Sequence, residues 1–181
     1  MSAGQWVALA LAALVTFGMV GAYNRLVSLR QAIGKAWLLV REVLSIRGEA
    51  ANALVLALRE PLAHEHGALD ALLAAEAQLR SAADALGGRP VAGPLCAPLV
   101  AAEAVMASAC ARLLALLDLH ADLGADPVVA PHAALLADTQ PRLVFARQLF
   151  NDAAQAYDAA ASQFPTRLLT RLFGFASAGR I

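Results

Sequence analysis

Residues 6–47 read WVALALAALVTFGMVGAYNRLVSLRQAIGKAWLLVREVLSIR, and the architecture turns on whether this stretch is one helix. No charged side chain occurs from Met1 to Asn24. Trp6 to Tyr23 is an apolar run of 18 residues, interrupted only by Thr16, Gly18 and Gly21. At about 1.5 Å per residue such a helix covers roughly 27 Å, close to the ~30 Å of a hydrocarbon core. Trp6 and Tyr23 bracket the run, as interfacial aromatics do. A cleaved secretory signal is the competing reading. It calls for a basic leader and a shorter apolar core, whereas MSAGQ carries no basic side chain. The run therefore predicts a transmembrane helix over residues 6–23, behind a short tail of residues 1–5.

The second half of the stretch contains no Pro and is amphipathic. Leu26, Ile33 and Val40 recur every seven residues, with Leu29, Ala36 and Val43 interleaved. That is the seam of a helix that packs on others. Trp37 widens the apolar face, and Arg30, Lys35, Arg41 and Glu42 form the polar one. A single rod thus leaves the bilayer and becomes the first helix of a bundle, with a kink or end expected near Ser45–Glu49 at Gly48. Arg25, Arg30, Lys35 and Arg41 follow the span against one acid, Glu42, and nothing comparable precedes it. The excess of basic residues predicts the N-terminus outside and the bulk in the cytoplasm.

The remainder is rich in Ala and Leu, the strongest helix formers, within a chain of 181 residues that is 60% hydrophobic. Few segments alternate with period two, so the chain is expected to be all-α. Lys plus Arg number 14 and Asp plus Glu 14, a balance that gives no footprint for nucleic acid. Cys96 and Cys110 are too few for a disulfide framework and lack zinc-site spacing.

A second helix is expected over about Ala50–Leu86, with Leu54, Leu58, Leu62, Leu69, Leu72, Leu79 and Leu86 on one face and a kink or break at Pro61. GGRPVAGPLCAP, residues 87–98, reads as a loop. A third helix over about Leu99–Leu123 carries Leu99, Met106, Leu113 and His120 in heptads. After the turn GADPVVAP, residues 124–131, a fourth helix runs from about His132 to Gln163, bent or split at Pro141. Its seam is Leu143, Phe150, Tyr157 and Phe164, with Ala146, Ala153 and Ala160 between, a large–small alternation that lets helices approach closely. Pro165 ends it. A short helix, Thr166–Phe173, precedes the closing residues. Its apolar side either caps the bundle or touches the membrane surface. The expected architecture is an N-terminal transmembrane helix continuing into an antiparallel four-helix bundle over residues 24–175, with a tail of residues 176–181.

Two blocks of this chain resemble the LemA family of bacterial proteins. The opening block is YNRLVSLRQAIGKAW, with Tyr23-Asn24, Leu26-Val27, Leu29-Arg30 and Ala36-Trp37. The closing block holds Phe150-Asn151, Tyr157, Phe164-Pro165 and Phe173-Gly174-Phe175. Leu54-Val55 and His64-Glu65 fall where the family often has such pairs. The chain departs from the pattern in three ways. Leu38–Arg41 lacks the usual acid after the Trp, Tyr157-Asp158 stands where a second aromatic-Asn pair is usual, and Asn52 replaces a usual Pro. The resemblance implies a protein of the bacterial cytoplasmic (inner) membrane, anchored through its N-terminus, with no established enzymatic activity to carry over.

Candidate chemistry is sparse. His64-Glu65-His66 is not a metalloprotease motif, and its two histidines point about 200° apart on a helix. No paired Glu-x-x-His, phosphate loop or nucleophile elbow occurs. Neither catalytic residue, metal nor cofactor is expected. Asn24 and Asn151 are expected either to hydrogen-bond between the first and last helices or to form a docking face. The leading expectation is a non-enzymatic interaction protein, held in the lipid bilayer by residues 6–23, with an unidentified membrane or cytoplasmic protein partner. Self-association as a homo-oligomer is one alternative. A ligand pocket lined by Tyr157, His120 or Arg30 is another.

Overall fold

The computed structural model describes residues 3–163, 167 and 177–181, with the side chains of residues 3 and 7–12 outside that set. Phe164, Pro165, Phe173, Gly174 and Phe175, and with them all but Arg167 of the short helix expected over Thr166–Phe173, lie outside the described residues. The described part is all-helical: α1 (Ala3–Leu58), α2 (His66–Gly87), α3 (Cys96–Leu119), the single turn α4 (Ala121–Gly124) and α5 (Ala130–Ser162). A 3-10 turn, Gly93–Leu95, leads into α3.

Helix α1 is unbroken for 56 residues, about 84 Å at 1.5 Å per residue. Among the described side chains of its first six turns none is buried. Leu14, Val15, Phe17 and Val20 are all exposed, and the first buried residue is Leu26. From there the expected seam is buried at Leu26, Ile33, Ala36, Trp37 and Val40. The helix does not end at Gly48. It continues through the glycine, whose lack of a side chain is used for close packing: a Cβ there would lie 3.1 Å from Glu76 Oε1 of α2. The break comes at Pro61 instead, in the turn between α1 and α2, so the expected second helix belongs partly to α1. Leu54 and Leu58 are buried on α1, Leu62 plugs the turn, and Leu69, Leu72, Leu79 and Leu86 are buried on α2.

The loop after α2 is shorter than expected, since α3 starts at Cys96 with Pro98 in its first turn, where a missing N–H costs little. Asp126 caps the way into α5, its Oδ1 accepting the backbone N–H of Val128 at 2.7 Å and of Val129 at 3.3 Å. Pro141 does not split α5. The carbonyl it leaves without a helical donor belongs to Ala137, an exposed position where water can serve.

Named contacts give the directions. Arg25 meets Gln163, Trp37 meets Phe150 and Arg47 meets Gln140, so α1 and α5 run in opposite directions. Gly48 faces Glu76 and Trp37 faces Gly87, so α1 and α2 do too. Trp37 and Phe150 sit edge to face at the centre, centroids 6.2 Å apart and planes at 69°. Among the described residues, Gly93–Leu119 is long and apolar enough to cross a membrane by length and composition. Its inward face, Leu99, Met106, Leu113 and Leu117, is buried in the common core.

Candidate functional site

Three polar features stand out on this apolar frame. The first is buried. Continuing the α1 seam by sevens from Leu26, Ile33 and Val40 lands on Arg47 and then Leu54. Arg47 is 2% exposed. Its Nη1 lies 3.4 Å from Glu103 Oε1 of α3, and its Nη2 donates to Gln140 Oε1 of α5 at 2.9 Å. Arg147 Nη1, also on α5, reaches the other oxygen, Glu103 Oε2, at 3.1 Å. One carboxylate thus ties two guanidinium groups, and the cluster joins three helices. Arg47 Nε has no hydrogen-bond partner, and neither does the buried Trp37 Nε1. Each oxygen of Glu103 is engaged by one guanidinium, so the carboxylate offsets the charge of both.

Cys110 packs beside this cluster. Burial pushes its thiol upward, outweighing the opposing attraction of Arg47 for the thiolate. Burial likewise raises the Cys96 thiol, and raises the Tyr157 phenol against the opposing pull of Arg30. Thiols held protonated and covered in this way are poor nucleophiles. The three shifts have a common consequence. A raised folded-state value gives stability that is whole below the unfolded-state value and drains away as pH climbs through the folded one. The melting temperature is therefore expected to hold steady up to about pH 8, then to fall from the ordinary thiol range of about pH 8.5 upward. Calorimetry across pH 7–10 checks this, and Cys110→Ala should make the alkaline fall shallower.

The second feature is an open groove of about 340 Å³ between α1 and α2, lined among others by Arg41, Ser45, Gly48, Glu49, Asn52, Glu76 and Arg80. Its polar groups are largely spent on one another. Ser45 donates to Glu49, Asn52 donates to the Gly48 carbonyl, and Glu76 pairs with Arg80 at 3.6 Å.

The third lies on α5, where Phe150-Asn151 and Tyr157-Asp158 repeat at a spacing of seven. Both aromatics are buried toward α1, and both polar residues face the neighbouring side, where residues 177–181 return to the bundle. Asn151 Nδ2 donates to the Ile181 carbonyl at 2.6 Å, and Asn151 Oδ1 accepts the Ile181 N–H at 2.9 Å. Asp158 Oδ1 accepts the Ala178 N–H and the Ser177 hydroxyl, and Asp158 Oδ2 lies 3.7 Å from Arg180.

This corrects one expectation. Asn24 is exposed on α1 and does not meet Asn151, because the opposed helices put residue 24 beside the end of α5 and residue 151 beside Ala36. Leu26 and Trp37 are buried, Val27 and Leu29 half-buried, and Tyr23 and Arg30 exposed. Arg30 and Tyr157 do come together, but His120 does not join them. It ends α3, exposed, with Nδ1 2.9 Å from the Leu116 carbonyl. His64 and His66 are exposed and Glu65 half-buried around the Pro61 turn, and no group of three metal-ligating side chains occurs among the described residues. Arg47 and Glu103 were not singled out from sequence; the seven-residue register was the signal that could have found them.

The sequence profile of the LemA family matches residues 36–180. Among curated proteins, none matches the chain.

Proposed function

The chain belongs to the LemA family, and we propose on that premise that it is a single-pass, membrane-anchored antiparallel four-helix bundle that acts by binding a protein partner rather than by catalysis. The observation that carries this is the naked apolar start of α1. Leu14, Val15, Phe17 and Val20 project from the bundle at 52–78% exposure. An exposed apolar helix of this length is stable in hydrocarbon and a liability in water. The basic residues Arg25, Arg30, Lys35 and Arg41 support a bundle on the cytoplasmic side of a bacterial inner membrane. The buried charges of Arg47 and Glu103 are tied to each other, and the groove that gathers Arg41, Glu49, Glu76 and Arg80 lies open at the surface, an arrangement that suits binding.

Deletion of residues 1–23 is expected to move the protein from the carbonate-resistant membrane fraction to the soluble fraction, with its helical circular-dichroism signal retained. Retention in the membrane would refute the anchor. Because Cys96 and Cys110 are buried, orientation is tested with Ala63→Cys at an exposed turn. An impermeant maleimide should label it only after cells are broken. Crosslinking in intact cells followed by recovery from purified membranes should then yield a reproducible partner. A second reading, membrane organisation by self-association, draws on the exposed Leu38 and Leu39 of α1 and Val144 and Phe145 of α5. It predicts oligomers in mild detergent as the sole recovered species.

A further inference from the structure

We propose that the cleft between the start of α3 and the C-terminal half of α5 is a peptide-recognition site. The chain fills it with its own residues 177–181, and a partner can fill it with an extended segment reading small–glycine–any–aliphatic. This deepens the binding function proposed above and rests on it for its cellular meaning.

The contacts are those of peptide recognition, in which main-chain hydrogen bonds hold the strand and side-chain seats choose it. Asn151 grips both main-chain groups of one residue, Ile181. Asp158 takes the Ala178 N–H, and the Val91 carbonyl takes the Gly179 N–H in a short antiparallel pairing of Ala92 with Ala178. The selection is steric. A Cβ on residue 179 would sit 2.4 Å from Cys96 Sγ and 2.5 Å from Gly93 Cα, so only glycine fits. Ala178 is nearly covered, and Ile181 is seated at 6% exposure over a space lined by Val40, Leu44, Leu99 and Leu143. Arg180 points outward and is read only through its ion pair with Asp158. None of these contacts depends on the segment belonging to the same molecule. A tethered segment has the advantage of a high effective concentration, so a free peptide must compete with it.

The test uses the full chain in detergent micelles and a fluorescent peptide, FASAGRI, copied from residues 175–181. Cys96 lies directly beneath Gly179, so its alkylation rate, read by mass spectrometry, reports whether the cleft is filled. Gly179→Val should expel the tail. Cys96 should then alkylate at least about tenfold faster and the peptide bind at least about tenfold tighter than in the parent chain, as relief from tethered competition implies. Cys110 should stay protected. Added peptide should restore the protection of Cys96, and Asn151→Leu in the same chain should abolish that restoration.

If Cys96 opens but the peptide neither binds nor protects it, the cleft is only a fastening for the tail and the proposal fails. It also fails if Cys96 stays protected in the variant. If both cysteines react together the variant has unfolded, and Ile181→Asp, which puts a charge into the apolar seat and leaves the backbone alone, gives the same two readings. Failure to capture a membrane partner from cells would not touch these outcomes on purified protein, so the two ideas fail separately.

Discussion

Glu103→Leu is expected to lower the unfolding free energy of the bundle by about 3–5 kcal/mol, because it leaves the buried Arg47 guanidinium without its anion. Arg47 at 2% exposure cannot turn outward to water. Arg147 can, since about a third of its side chain is already accessible. The loss is therefore concentrated on Arg47. The companion result makes the test sharp. Arg47→Leu combined with Glu103→Leu removes both buried charges, continues the seam of Val40 and Leu54 with an aliphatic residue, and should recover most of the loss. Urea unfolding of the three proteins decides it. A single replacement costing under about 1 kcal/mol would mean that water reaches the cluster and that it behaves as a surface pair.

Phe150→Ala should be as costly, about 3–5 kcal/mol, for a different reason. Phe150 is wholly buried, and its ring edge meets Trp37 where α1 and α5 cross. Truncation leaves a hole between two long rigid helices, which have little freedom to close it. The aromatic contact itself is a smaller share, about 0.5–1.5 kcal/mol beyond the area buried. A double-mutant cycle with Trp37→Leu isolates it. The same variant should also loosen Asn151 next door, so faster alkylation of Cys96 is expected to accompany the lost stability.

These two replacements also mark what could and could not be read from the chain. Phe150 and Tyr157 were legible because a buried aromatic repeating every seven residues has one physical meaning in a helix. So were Leu26, Ile33, Val40 and, on α2, Leu69, Leu72, Leu79 and Leu86, all of them buried where the periodicity put them. Arg47 was not, though it stands in the same register. A charge at a seam position looks like the end of the seam, and only a partner 56 positions away, Glu103, makes its burial tolerable. Gly48 misled for a related reason: glycine weakens a helix alone but permits close approach to a neighbour, and the neighbour was not visible. Asn151 and Asp158 were noticed as half of a repeated aromatic–polar pair. Their true partners, residues 177–181, have no periodicity to announce them.

The unbroken course of α1 makes the protein a ruler. With residues 6–23 in the bilayer, every later position on this helix stands at a set height above the membrane, about 1.5 Å per residue beyond Tyr23. Asn151 lies beside Ala36, about 20 Å up, and the seat of Ile181 reaches the level of Val40 and Leu44, about 26–32 Å up. The groove around Gly48 is about 38 Å up. Helix α1 has no break between them and residue 23, so in the anchored protein proposed here a tilt of the buried segment would swing both surfaces through the same angle. A partner that fills the cleft of the anchored protein proposed here would therefore have to present its peptide about 20–30 Å above the lipid.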